Sequence, residues 1–447
     1  MNYFSQIWDR VLSLFSRKSM DKAAQRNSRI YKAEYESTER VNFTAIFATA
    51  LANKTVNDST MTVKDSAGKE SRRSEWIADG LKKVWTKNKT LVSQTLGKGG
   101  KVLVPYVANG RAYVDIIDQS RMVITSMRGN EIAGALLMAD IARGEDGKVY
   151  YRFANYTLEN NTHTIAYTAT NDNGASVGLD VIPEWAELPP EIVIEGAEHI
   201  LFGYLKCPQD SREDKQIMGV PITYGADDII RDIYTCLDDI RREFKLKKSF
   251  VGADDRLFDK DTGLPETGLF KKFKGTGLKN GDFWEVFDPA IRDSAYLARL
   301  MQLFGLLESA VGVSPGILTE PRTANATATE IRAANAATFS MVDSIRENIE
   351  EAFNQLAYAL DVLAEFYGAT PAGAMGDWQI IWDWDMSMME ASTESFNQLS
   401  ELESRGLILP ERLVSWATGM SMEEAKEEIA AAKAMQPDTV DVLLTEE

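Results

Sequence analysis

Residues 226–248 read ADDIIRDIYTCLDDIRREFKLKK, and residues 288–311 read DPAIRDSAYLARLMQLFGLLESAV. Apolar residues recur through both stretches at spacings of three and four, which predicts two amphipathic helices. An Asp-Pro pair opens the second stretch as an N-cap and first-turn proline, and Gly312 predicts its end. Residues 249–287, between the two stretches, combine short apolar runs with turn residues. The sequence therefore predicts a helical hairpin that carries an excursion of short strands and turns.

The apolar stripes of these two predicted helices are the candidate packing residues. Each stripe is narrow, and charged residues occupy the remaining faces of each helix. The stripes comprise Ile230, Ile233, Leu237, Ile240, Phe244, Leu297, Leu300 and Phe304.

Composition restricts the class of protein. A chain of 447 residues with 44% hydrophobic and 26% charged residues is ordinary for a globular protein of two or three domains. Its two cysteines, Cys207 and Cys236, fit a reducing compartment. The net charge of −18 argues against nucleic-acid binding through a basic surface, because such binding neutralises phosphates. The negative charge does not exclude a function in which nucleic acid passes by the protein without binding to it.

The N-terminal stretch, residues 1–18, has apolar residues at helical spacing. Asp9 and Arg10 interrupt it, so it is not the apolar core of a signal peptide, and no run in the chain has the length of a membrane helix. A packed or partner-binding amphipathic helix is favoured over a membrane-surface helix. Its apolar residues are Phe4, Ile7, Trp8, Val11, Leu12 and Phe15.

A β-rich module is predicted from residue 101 to about 180. Two alternating runs flank Asn109-Gly110, a strong hairpin turn. Residues 181–221 are rich in proline and loop residues and are interpreted as a connector. Further strands are predicted at 122–125, 132–138, 149–155, 163–167 and 378–385, and helices at 40–56, 74–87, 327–367, 395–405, 410–418 and 421–435.

No pattern specific to catalysis is present, so no catalytic, cofactor or metal site is predicted, and the chain is not expected to be an enzyme. The only histidines, His163 and His199, are expected to be structural. Residues 97–101 are glycine-rich but lack phosphate-loop spacing, and a turn is predicted there. Asp383 and Asp385 face one side of a predicted strand and could hold a divalent metal, although a solvated or hydrogen-bonded pair is favoured.

The order and spacing of several segments resemble the portal proteins of tailed bacteriophages, of the siphophage type, over nearly the whole chain. The most specific segments are LFGYLK at 201–206 and MGVPITYGA at 218–226, which lead into the first predicted helix. TATEI at 327–331, IIWDWD at 380–385 and GLI at 406–408 support them.

The resemblance implies an α+β portal fold with a helical stem hairpin, a β-rich wing and clip, and a helical crown. The parts would be the wing at 1–224, stem helix 1 at 225–248, the clip at 249–287, stem helix 2 at 288–312, the tunnel loop at 313–328, a long wing helix and strand at 329–389, and the crown and tail at 390–447.

The resemblance also implies a function. Twelve copies would form a ring at one capsid vertex, assembled in the bacterial host cytoplasm, as the channel for packaging and ejecting double-stranded DNA. Its partners would be the packaging terminase, a head–tail adaptor, and the major capsid and scaffolding proteins, with no membrane and no cofactor. The tunnel loop is expected to touch DNA through Thr319, Glu320, Arg322, Thr323 and Asn325, and the clip to touch partners through Lys271, Lys272, Lys274 and Lys279.

Two alternatives stay open. One is another ring-forming component of a phage neck or baseplate. The other is a metal-dependent enzyme of nucleic-acid metabolism that uses Asp383 and Asp385.

Overall fold

The structure is a computed structural model. It describes residues 29–430 except for 33, 210, 213–216, 247–249, 255–269, 274–283, 288–291, 321–327, 370–374, 385–399, 406–407, 419–421, 423–424 and 427. Within the described residues, no helix is long and apolar enough to cross a membrane.

After helical residues at 29–32 and 34–35, three helices follow: α1 (Phe43–Val56), α2 (Arg72–Trp85) and α3 (Asn88–Lys98). The Asn42 side chain caps α1 by accepting from the Ala45 amide at 2.9 Å. The glycine-rich stretch predicted as a turn is the end of α3, where Gly99 has a φ of 94° and can adopt it because glycine lacks a Cβ. The helix α3 itself was not predicted.

Most strands of the β-rich module lie where the alternation predicted them. The hairpin around Asn109-Gly110 is confirmed, with Ala108 opposite Arg111. Strands β4 to β8 form a continuous antiparallel sheet in chain order, and β9 also pairs with β7. The strands are β1 (Thr60–Lys64), β2 (Gly100–Ala108), β3 (Arg111–Asp118), β4 (Met122–Arg128), β5 (Glu131–Arg143), β6 (Val149–Glu159), β7 (Thr162–Asn171), β8 (Ser176–Val177), β9 (Glu191–Glu195) and β10 (Gly203–Lys206).

The interpretation of residues 181–221 as a connector was wrong in part. This region contains the short helix α4 (Pro183–Ala186) and the strands β9 and β10. Strands of four or five residues have too few alternating positions to stand out in a sequence. Their existence depends on distant partners, since β10 pairs with β2 and β9 pairs with β7.

The predicted hairpin with its excursion is present as α5 (Asp227–Leu246) and α6 (Asp293–Val311). Between them, β11 (Phe250–Asp254) pairs in parallel with β12 (Phe270–Phe273) and antiparallel with β13 (Trp284–Phe287). The second helix begins later than predicted. Its N-cap is Arg292, which has a non-helical ψ of 41°, and the predicted start at Asp288 lies outside the described residues.

The long helix α7 (Ala328–Phe366) follows, then β14 (Gln379–Asp383) and α8 (Pro410–Thr418). Strand β14 pairs with β1, so residues near the two ends of the described chain share one sheet. Most of the predicted crown, including Ser421, where the last predicted helix begins, lies outside the described residues.

The main hydrophobic core gathers side chains from six helices, α1, α2, α3, α5, α6 and α7. Phe47, Leu81 and Phe353 are fully buried in it. A second core lies under the large sheet, where Phe202 and Met218 from the connector pack against Ile124. One end of the α5–α6 hairpin is therefore part of the main core of the subunit.

A buried ion pair ties α2 to α7. Arg73 and Asp361 are 4% and 1% exposed at their side chains, and the Arg73 Nε donates to the Asp361 carboxylate. The other carboxylate oxygen accepts from the Gly376 amide at 2.8 Å and from the Trp378 indole at 3.1 Å. Each charge is thus paired and hydrogen-bonded, as a buried pair requires.

Candidate functional site

The base of the α5–α6 hairpin is anchored in the body of the subunit. Ile233 is fully buried and Leu300 is 8% exposed, both in the main core. The Tyr234 hydroxyl donates to the Val41 carbonyl at 2.7 Å, and the ring of Phe43 contacts those of Tyr234 and Phe304. The hairpin is therefore held at a fixed angle to α1.

The far end of the described hairpin is closed by polar contacts. Glu243 on α5 accepts from the Arg292 guanidinium at 2.8 Å and from the Arg292 backbone amide at 3.2 Å. Hydrogen bonds from Arg292 and then from Tyr296 lower the pKa of Glu243 to about 2. Glu243 thus fixes the residue at which α6 begins.

The polar face of α5 carries more carboxylates than basic groups. Residues 227–246 hold six acidic and four basic side chains, and residues 292–311 hold two of each. Pairs three residues apart neutralise each other along α5, as in Asp228–Arg231 and Asp238–Arg241. The described hairpin is therefore weakly acidic and has no continuous basic surface.

The hairpin also exposes large apolar side chains. Phe244 is 57% exposed, Leu297 54%, Met301 49% and Leu306 47%. Leu297 and Met301 are four residues apart and share one face of α6, beside the buried face that contains Leu300. Isolated exposed apolar residues are normal, but neighbouring ones on one helix face mark a contact surface.

The predicted stem-packing residues thus divide into three groups. Ile233 and Leu300 are buried in the main core. Ile230, Leu237, Ile240 and Phe304 are half-buried and pack against that core, whereas Phe244 and Leu297 are exposed.

At the end of α6, a buried carboxylate organises the loop that follows. Glu308 is fully buried, and its Oε1 accepts from the backbone amides of Gly316, Ile317, Leu318 and Thr319 at 2.8–3.2 Å. Its Oε2 accepts from the Thr319 hydroxyl. Successive amides that converge on one anion form a nest, which holds negative charge through its aligned dipoles.

These contacts decide the protonation of Glu308. Burial raises the pKa of its carboxyl, but hydrogen bonds from Thr319 and from the backbone amides outweigh burial and hold the pKa below its ordinary value of 4.5. Glu308 was not singled out from the sequence. A signal was present, because it is the one charged residue between positions 300 and 319.

The predicted tunnel loop begins in this nest. Val313 and Ser314 are buried, and the Ser314 amide donates to the Thr338 hydroxyl of α7 at 2.9 Å. The Thr319 hydroxyl is engaged by Glu308, and Glu320 is exposed. Arg322, Thr323 and Asn325 lie outside the described residues, as do Lys274 and Lys279. Lys271 and Lys272 lie in β12.

The residues considered for catalysis are not brought together. His163 is buried, its Nε2 accepts from the Leu201 amide at 3.3 Å, and burial lowers its pKa to about 4. His199 is near the surface, 3.2 Å from Glu131. Asp383 is exposed at the end of β14, and Asp385 is outside the described residues. The described part of the chain holds no group of three or more residues that could bind a metal ion.

The lysines of the predicted glycine-rich turn have a structural role that the sequence did not show. Lys98 and Lys101 both contact Asp118 at the end of β3, together with Lys32 at 3.1 Å. Burial raises the pKa of Asp118, but the three lysines outweigh it and hold that pKa well below its usual range. The spacing of the lysines gave no hint of Asp118, because the β2–β3 pairing creates the contact.

The architecture mixes helices and sheets, with the hairpin and the long helix among its helices, and is an α+β fold. The model of a phage portal protein family, SPP1 Gp6-like, matches residues 280–438. This match confirms the resemblance to tailed-phage portal proteins over the residues it covers.

The chain was also compared with curated proteins and with solved structures. No curated protein matches the chain. Among solved structures, a chain described as "Neck of empty GTA particle computed with C6 symmetry" is similar, at 14% identity and a TM-score of 0.41, covering 89% of this chain and 94% of that chain.

Proposed function

We propose that this chain forms a ring of twelve copies at one vertex of a phage capsid, and that the ring is the channel for double-stranded DNA. The observation that carries the proposal is the position of the family match. It begins before α6 and extends through the Glu308 nest, α7 and β14. Of these elements, the proposal assigns α6 to the channel wall and the Glu308 nest to the loop beside it, and it assigns α7 and β14 to the wing.

The dimensions of α5 are compatible with a channel wall. Its 20 residues make a helix about 30 Å long. Twelve such helices side by side, about 10 Å apart, give a circumference of about 120 Å and a radius near 19 Å at the helix axes. Subtracting a helix radius of about 5 Å on each side leaves an opening of roughly 28 Å, which admits a DNA duplex with surrounding water.

The charge of the hairpin supports sliding rather than adhesion. A basic lining would bind phosphates in a salt-dependent way and retard DNA, whereas an acidic or neutral lining repels them. With six carboxylates and four basic groups, α5 would contribute to an acidic lining, which repels phosphates.

The remaining assignments follow from the same proposal. Residues 249–287 would project from the shell as the clip and dock the packaging terminase and the head–tail adaptor, with Lys271, Lys272, Lys274 and Lys279 facing acidic partners. The β-rich module with α1–α3 would be the wing that meets the capsid and scaffolding proteins.

We expect the purified full-length chain to assemble into rings with a central hole, with a mass of about twelve times the 49.8 kDa of one chain. Negative-stain microscopy and mass measurement by light scattering check both features. Open filaments, or closed assemblies without a hole, would exclude the channel.

Deletion of residues 321–325 is expected to reduce DNA packaging at least tenfold while rings still form. The deletion removes three of the proposed DNA contacts but keeps Thr319, which bonds to Glu308. DNA protected from nuclease inside particles is the readout. The matched control deletes residues 172–174, in the turn after β7, and should package normally; equal packaging by both deletions would refute the loop's role.

A metal-dependent enzyme is the second candidate, and Asp383 is its only described residue. Asp383 is exposed and has no second acidic partner among the described residues. Nothing in the described part of the chain favours that function.

A further inference from the structure

A groove of about 1180 Å³ lies between α7, β10 and the turn that joins β4 to β5. It is larger than the roughly 300–1,000 Å³ of a typical small-molecule site, so a polypeptide segment is a more suitable occupant. Apolar side chains form part of its lining, among them Met127, Ile132, Phe202 and Ile217.

The lining of the groove is acidic. It includes four glutamates, Glu131, Glu347, Glu350 and Glu351, against one lysine, Lys206. Glu347 and Glu351 are exposed on one face of α7, and no described basic side chain forms an ion pair with either of them. An occupant with an apolar side and basic flanks would complement both the lining and its charge.

The stretch 1–28, outside the described residues, has this chemistry. It holds five basic and two acidic residues, and residues 4–15 carry apolar side chains at helical spacing. The stretches 385–399 and 431–447 also lie outside the described residues, but both are acidic and would be repelled by the groove. The stretch 274–283 has two basic residues and one acidic residue, but its large apolar residues, Leu278 and Phe283, are five apart and would not share a helix face. Charge complementarity and the apolar pattern therefore select the N-terminal stretch.

Side-chain contacts link the start of the described chain to the groove. Lys32 lies 3.1 Å from Asp118, and the next residue, Gln119, accepts a hydrogen bond from the hydroxyl of Tyr204, which lines the groove. The side chains of Lys32, Asp118, Gln119 and Tyr204 thus lead from the first described helical turn to the groove wall. The ten residues 19–28, which join the N-terminal segment to this turn, can span up to about 33–36 Å when extended.

We propose that residues 4–15 form an amphipathic helix that occupies this groove in their own subunit. The apolar side packs against the lining, and Arg17 and Lys18, which follow the helix, lie next to Glu347 and Glu351. The contact would hold the N-terminal stretch against the face of α7 that lines the groove. This proposal does not depend on the proposed channel function.

Cross-linking in the full-length chain tests the proposal. Ser5→Cys and Asn354→Cys place one thiol at the edge of the apolar side of the segment and one in the groove, while both native cysteines are buried. A short bismaleimide should join the two positions in most chains, as read by mass spectrometry of the digest. Mixing isotopically heavy and light chains before assembly should give heavy–heavy and light–light links only.

Charge reversal provides the control. Glu347→Lys with Glu351→Lys should lower the yield of the link at least tenfold, and adding Arg17→Glu and Lys18→Glu should restore it. Glu187→Lys, exposed and outside the groove, should have no effect. Absence of the link, or a yield insensitive to the reversal, overturns the proposal. Heavy–light links overturn the same-subunit assignment and make the occupant a neighbour's segment.

Discussion

Glu308→Ala is expected to destabilise the start of the predicted tunnel loop by roughly 3–5 kcal/mol, because it leaves four converging backbone amides and the Thr319 hydroxyl without their acceptor. Amide hydrogen exchange at residues 316–319 should then become at least about a hundredfold faster, since each 1.4 kcal/mol is a factor of ten. Mass-spectrometric exchange on the peptide that contains these residues measures it.

Two comparisons make this test specific. Glu320→Ala removes an exposed carboxylate twelve positions later and should leave exchange unchanged. The second comparison is pH. Since the pKa of Glu308 is lowered in the folded state, its contribution is complete above the ordinary value of 4.5 and is lost as the pH falls through the folded pKa.

Protection of residues 316–319, corrected for the intrinsic pH dependence of exchange, should therefore weaken below pH 4.5 in the native chain. Glu308→Gln should show no such step. An acid-insensitive native loop would contradict the role of the carboxylate.

Leu297→Asp is expected to abolish ring assembly while the subunit stays folded. Leu297 is 54% exposed, so a charge there costs the subunit only about 0.5 kcal/mol, but the same charge would be buried in a contact between neighbouring helices. Sedimentation or negative-stain microscopy should show monomers, and the unfolding transition should match that of the native chain.

Leu300→Asp, three residues further on, serves as the contrasting variant. Leu300 is 8% exposed in a core shared by six helices, so this change should unfold the subunit. Blocked assembly of Leu300→Asp would therefore say nothing about the subunit contact. Gln302→Asp, exposed on another face of α6, should assemble normally. If Leu297→Asp still formed normal rings, this face of α6 would not be part of the contact between neighbouring subunits.

The elements that the sequence predicted well are those with long periodic patterns. The hairpin helices, α7 and the strands around Asn109-Gly110 repeat their pattern over many residues, so the pattern alone defines them. Strands β9 and β10 could not be found in this way, because each is short and exists through its pairing with β7 or β2.

The candidate site was predictable in outline but not in its chemistry. The apolar stripes gave the hairpin, yet they could not separate buried Leu300 from exposed Leu297, since both belong to one helical period. The role of Glu308 depends on how the chain turns back after Gly312. A lone charge in an uncharged stretch signals a buried anion, but not the amides that hold it.

The pairing of β1 with β14 affects how the chain is made. Residues 60–64 bond to residues 379–383, and α1 and α2 pack against α7. At roughly 5–20 residues per second, a ribosome needs about 15–60 s to synthesise the chain between the two strands. During that interval the apolar faces of α1 and α2 lack their partner, so the nascent subunit is expected to depend on chaperones and to fold only after most of it has been synthesised.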